Sequence, residues 1–223
     1  MRMAYASKRS TRLSAALAVV VVGFLAYSLP PYLSGGTRVQ STFGLHYPLL
    51  VAHVLLASVA MVCAVAQIWP GLRRRHPVLH RRTGRVYVAT AIPAGVCAVV
   101  IGAATPFGPI LALSNVTLGA LWLWFTVDGF VAARQRRFAA HRRQMLRSAT
   151  LALSIITNRM WAPVVYLSFQ PLRDSVFGGD EDRYMWLVAG VVGWLGWTIP
   201  LLLLQAWLRR QPAQVTARSS SGV

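Results

Sequence analysis

The chain has 223 residues, 56% of them hydrophobic and only 13% charged, at a mean hydropathy of +0.51. A soluble domain carries about a quarter charged residues, and the few charges here are one-sided: 23 Lys and Arg against 5 Asp and Glu, a formal +18. That combination excludes a disordered chain, a coiled coil and an ordinary soluble enzyme, and points to a polytopic membrane protein.

A bilayer core about 30 Å thick takes roughly 20 apolar residues of helix. Six stretches fit: 13–33, 47–69, 86–104, 111–133, 148–169 and 185–208. Lipid offers backbone N–H and C=O groups no partner, so such runs are helices; the short alternating segments of a β-barrel are absent. Pro30-Pro31, Gly35-Gly36, Pro70-Gly71, Pro106 to Pro109 and Gly178-Gly179 punctuate the joins. The expected architecture is an all-α bundle of six spans over residues 13–208, with an N-terminal tail at 1–12 and a polar, disordered C-terminal tail at 209–223. The first run has the charged start of a secretory signal. It is longer than a usual signal core and no small-x-small cleavage site follows it, so it reads as an uncleaved span.

Nineteen of the 23 basic residues fall in the N-terminal tail, the second-to-third connection, the fourth-to-fifth connection and the C-terminal tail. The alternate connections hold Arg38, Arg173 and Arg183 together with Asp174, Asp180, Glu181 and Asp182. Basic loops stay in the cytoplasm, so both termini are expected there, as an even number of spans requires. Cys63 and Cys97 lie inside spans two and three and read as small buried hydrophobes rather than metal ligands or a disulfide.

The two basic connections echo each other. LRRRHPVLHRRTGRVY enters span three and RQRRFAAHRRQMLRS enters span five, with His80-Arg81-Arg82 and His141-Arg142-Arg143 placed 61 residues apart. The echo suggests that spans three-four and five-six are related hairpins. The stretch from His53 through RRRHPVLHRRTGRVYV, and the later AHRRQMLRSATLALSIITNRMW, resemble the bacterial membrane family called domain of unknown function 2306. Its members share a His in an early span, an LHR-x-x-GR-x-YV junction and an HRR-x-M-x-RS junction. The likeness covers residues 46–165 and leaves out the first and last spans. Members usually carry Trp where this chain has Gln144, and often Leu where it has Asn158. The resemblance implies a six- to eight-helix protein of the bacterial inner membrane and brings no activity with it.

Polar groups inside spans are costly, so each is a functional candidate. His46, His53 and Gln67 repeat every seven residues, or multiples of it, and share one face of span two with Ala60. Thr150, Ser154, Thr157, Asn158 and Trp161 form a stripe on span five suited to bonding across helices. Arg159 lies twelve residues beyond Arg147, ~18 Å into the bilayer, and His53 lies ~9 Å from the opposite surface. Two readings of Arg159 stand: it lines an outward-facing ligand pocket with His53, Asn158, Gln67 and Asp128, or it bonds carbonyls freed near Pro163.

The basic junctions fit the positive-inside rule alone. Their repeated histidines, set at helix starts, also suggest a cytoplasmic anion or lipid-phosphate clamp of His80, Arg81, Arg82, Arg85, His141, Arg142, Arg143 and Arg147. Three function classes follow. The first is a binder of a small lipophilic or anionic ligand. The second is a b-type haem redox protein using His80 and His141, although these ligands would sit at the membrane boundary. The third is a noncatalytic structural or partner-binding protein whose Trp residues serve as belts and packing. Beyond haem no cofactor or metal is expected. No nucleotide-binding loop, zinc-protease signature or nucleophile elbow appears, so hydrolytic and ATP-driven chemistry are not expected. The basic residues are committed to membrane junctions rather than nucleic acid; the expected partners are anionic lipids, with room for another membrane protein.

Overall fold

A computed structural model describes the backbone of residues 2–211 and the side chains of residues 11–211, Arg73 and Arg74 apart. Among the described residues the chain is helical and has no strand: α1 (Arg2–Ser28), α2 (Pro30–Leu33), α3 (His46–Ile68), α4 (Leu72–Arg75), α5 (Pro77–Ala103), α6 (Gly108–Arg134), α7 (Phe138–Ser175) and α8 (Glu181–Arg209). Five of them, α1, α3, α5, α6 and α8, are long and apolar enough to cross a membrane. The sixth long helix, α7, is the most polar. It carries Arg142, Arg143, Arg147, Arg159, Arg173 and Asp174 along its 38 residues, about 57 Å of helix.

The helices do not end where the expected spans end. The first span does not reach Leu33, because Pro30 and Pro31 bring no N–H to the ladder and α1 stops at Ser28. At its other end α1 begins at Arg2, inside the expected tail. Helices α5 and α7 start well before residues 86 and 148: α5 opens at Pro77, whose ring fixes a helical φ, and α7 opens at Phe138 after Arg136 turns the chain at φ 58°. Asp180 caps α8 by accepting from the Arg183 N–H at 3.1 Å. Most of the expected C-terminal tail, residues 212–223, lies outside the described residues.

Side-chain registers show how the helices run. Gln67 meets Thr83 and His53 meets Ala94, so α3 and α5 are antiparallel. Gly102 lies against Asn115 and Gly95 against Leu123, which makes α5 and α6 antiparallel as well. Thr126 meets Ser148 across α6 and α7. Arg147 meets Gln205, Thr157 meets Gly196 and Tyr184 meets Tyr166, so α8 runs back along α7. Gly190 rests on Ile110 and Trp197 on Ser114, so α6 and α8 are parallel, with α7 returning between them. Small residues permit these close approaches: a Cβ on Gly119 would stand 2.7 Å from Val99, and one on Gly193 2.5 Å from Leu111.

The main core joins Ala60, Cys63 and Ala64 of α3, Tyr87, Ala91 and Ala94 of α5, Trp122 and Phe125 of α6, Ala149 and Leu151 of α7, and Trp197 of α8. Tyr184, Val188 and Val192 build a second cluster with Val165 near the start of α8. Helix α1 is peripheral. Among the described residues its Val21 is buried against Met61 and Val65, with Leu17, Ala18, Phe24 and Leu25 partly buried around them.

The 61-residue echo maps onto the fold differently from the expected pairing of spans. Pro77 and Phe138, the first residues of α5 and α7, are 61 apart, and α3 shifted by 61 falls on α6. The bonds repeat too: Gln67 to Thr83 in the first hairpin, Gln144 to Asp128 in the second, each spanning sixteen residues. The related units are therefore α3–α5 and α6–α7. Helix α8 does not share the register, because its contacts with α7 set Gln205, not residue 189, beside the Asp128 level. The equivalent positions Tyr87 and Ser148 hydrogen-bond to each other at 2.6 Å.

Candidate functional site

Two polar assemblies occupy the basic end of the bundle. In the first, the Trp122 indole N–H donates to the Tyr87 hydroxyl at 3.2 Å, and Tyr87 and Thr126 both bond Ser148 at 2.6 Å. Thr126 also donates to the Trp122 carbonyl at 2.7 Å. All four side chains are buried, and they tie α5, α6 and α7 together. Each hydroxyl finds a partner, as a dry interior requires. In the second, the Gln144 amide donates to the Asp128 carboxylate while its carbonyl accepts from Arg147 at 2.6 Å. Arg147 also donates to Gln205 at 3.0 Å and lies over the Phe125 ring at 5.5 Å. Asp128, grouped with Arg159 in the expected pocket, is thus joined to α7 at Gln144, fifteen residues nearer the basic end than Arg159.

The proposed pocket residues turn to different neighbours. His53 donates from Nδ1 to the Ala94 carbonyl at 2.9 Å. Gln67 donates to the His80 carbonyl at 2.8 Å and to the Thr83 hydroxyl. The face shared by His46, His53, Ala60 and Gln67 therefore looks largely at α5, while buried His46 accepts at Nδ1 from the Thr42 N–H at 3.0 Å. Asn158 packs on Gly196 of α8, its Oδ1 buried and without a hydrogen bond among the described residues. Arg159, the next residue, is exposed, and no hydrogen bond or ion pair reaches it among the described residues. On the polar stripe of α7, Ser154 bonds back to the Leu151 carbonyl and Thr157 reaches the Gly196 carbonyl.

The clamp residues lie inside helices rather than at their starts. His80 and His141 sit three residues into α5 and α7, and their backbone N–H groups are spent on the His76 and Arg137 carbonyls at 3.0 Å each. An anion at the triplets would be held by side chains, without the free N–H groups of a helix terminus. His141 donates from Nδ1 to the Gly129 carbonyl at 2.8 Å, and Arg142 reaches Gln211 at 3.0 Å and lies over the Trp207 ring. Arg81, Arg82, Arg85, Arg142 and Arg143 are exposed. A cleft of about 340 Å³ opens beside them, lined by Arg75, His76 and Arg82 with Pro77, Val78 and Leu79. The two ion pairs of the described residues, Arg173–Glu181 and Arg183–Asp180, are at the other end. Among the described residues no three His, Cys, Asp or Glu side chains gather as a metal site.

A family model described as "Predicted membrane protein (DUF2306)" matches residues 50–208. The chain belongs to this family. The DUF2306 match runs from the first turns of α3 through α8, further than the junction motifs reach, and leaves α1 outside. No curated protein and no solved structure matches the chain.

Sequence reasoning missed Tyr87, Thr126, Ser148 and Gln205. Their signal was faint: hydroxyls and an amide inside apolar runs, with Tyr87 and Ser148 at the 61-residue spacing.

Proposed function

We propose that this DUF2306 protein is a noncatalytic plasma-membrane protein of six crossings, α7 the fifth of the six, with both termini cytoplasmic and an anionic-lipid phosphate clamp at its basic end. The observation that carries the reading is the concentration of exposed arginines at one end of the bundle, none with a carboxylate within 4.0 Å among the described residues. The registers support a sixth crossing: α6 and α8 are parallel neighbours joined through α7, so α7 must return across whatever layer they cross. Arg81, Arg82 and Arg85 on α5, with Arg142 and Arg143 on α7, offer forked donors to phosphate oxygens. His80, His141 and Arg147 brace the junctions from inside, Arg147 through Gln144 and Gln205.

The test is lipid retention. Purified chain with Arg81→Gln and Arg142→Gln should retain less phosphatidylglycerol than the parent while phosphatidylcholine is unchanged; equal retention refutes the clamp. Reporter fusions at both termini should read cytoplasmic, and opposite faces refute six crossings. An absorption spectrum of the same preparation with a Soret band lost in His80→Ala or His141→Ala would replace this reading with haem.

A further inference from the structure

Among the described residues no hydrogen bond or ion pair reaches Arg159, which lies in the middle of α7. By helical rise it is ~18 Å from Arg147 and ~21 Å from Arg173, and its neighbour Thr157 faces Gly196 beside the midpoint of α8. With α7 crossing the layer as proposed, that is mid-depth, about 15 Å from either headgroup layer and beyond the reach of its own side chain. It points outward, next to Met160, Val164 and Leu167, which are 66%, 51% and 64% exposed. In the same stripe Pro163 brings no N–H to the Arg159 carbonyl one turn back. The guanidinium bonds neither this carbonyl nor any other atom among the described residues.

We propose that the stripe Arg159, Met160, Pro163, Val164 and Leu167 is a docking face for a transmembrane helix of another protein that carries a carboxylate at mid-depth. The inference rests on the six-crossing reading. The occupant follows from charge. A buried guanidinium in lipid needs an acid, which it holds by paired N–H···O bonds. A second copy cannot bring one. Its Asp128 is joined to Gln144, fifteen residues or ~22 Å below Arg159 on α7, and its Asp174 is as far above. The remaining acids, Asp180, Glu181 and Asp182, open α8 at the outer end. A two-fold pair of copies would instead set two Arg159 side chains face to face.

The experiment places donor-labelled full-length chain in vesicles of phosphatidylcholine and phosphatidylglycerol with an acceptor-labelled synthetic Leu-Ala transmembrane helix bearing one central Glu. The Glu helix should bind about tenfold more tightly than an all-Leu-Ala helix, a ratio within reach of polar bonding between helices in lipid. Arg159→Gln should remove the difference, and Arg159→Glu should transfer the preference to a helix with a central Lys. Equal binding of the Glu and apolar helices, or a preference that survives Arg159→Gln, overturns the proposal. So does efficient cross-linking between copies through Met160→Cys. Arg159→Cys, with Cys63 and Cys97 replaced by Ala, separates the two readings. Reaction with a membrane-impermeant maleimide from either side defeats the crossing of α7 itself, whereas protection without a Glu preference defeats docking alone.

Discussion

Gly196→Ala tests the packing of α8 on α7. A Cβ at Gly196 would stand 1.5 Å from Asn158 Oδ1, 2.4 Å from its Cγ and 3.2 Å from its Cα. Rotating the Asn158 side chain relieves the first two contacts. The third is to backbone, and the Thr157 hydroxyl bond to the Gly196 carbonyl holds the two helices together at that level. The helices must therefore separate by a few tenths of an ångström or lose that bond. Overpacking of this kind costs about 1–3 kcal/mol, set against a gain of ~1 kcal/mol from replacing a helical Gly by Ala. The net expectation is a loss of up to ~2 kcal/mol in reversible SDS-induced unfolding of the detergent-solubilised protein. In an Asn158→Ala background the Oδ1 and Cγ contacts are gone but the approach to the residue 158 Cα stays, so most of the loss should persist. Gly23→Ala is the control, since nothing lies within 4 Å of a Cβ there. If Gly196→Ala matches Gly23→Ala, or becomes neutral once residue 158 is Ala, the close backbone contact drawn between α7 and α8 is wrong.

The other expectations concern the basic end. Tyr87→Phe removes the group that joins Trp122 to Ser148 and strands a buried indole N–H, so it should cost about 1–3 kcal/mol in the same unfolding assay; a change within 0.5 kcal/mol, the usual range for an unimportant surface site, contradicts that network. Gln144→Leu takes the donor from the Asp128 carboxylate and should cost about 1.5–3 kcal/mol. Asp128→Leu in the same chain should recover most of the loss, and additive losses would show that the pair does not act together. Removing Arg81 and Arg142 should make phosphatidylglycerol retention less sensitive to salt, because exposed charges interact through a screened field; an unaltered salt dependence argues against direct contact.

Sequence alone determined the membrane class, the helical content, most of the apolar runs and the segregation of basic from acidic connections, because lipid length and charge rules act on local composition. It also carried the family, through the His-Arg-Arg junctions. The tertiary structure decided what those residues face. Asn158 and Arg159 are neighbours about 100° apart on one helix, and periodicity fixes that angle without fixing which of the two turns inward. Packing of α7 against Gly196 settles it, burying the amide and exposing the guanidinium. The same holds for the 61-residue echo, which the junction residues reveal but only the Gln67–Thr83 and Asp128–Gln144 bonds assign to the α3–α5 and α6–α7 hairpins. Local sequence sets which residues a helix carries, while its rotation and depth are chosen by neighbours distant in the chain.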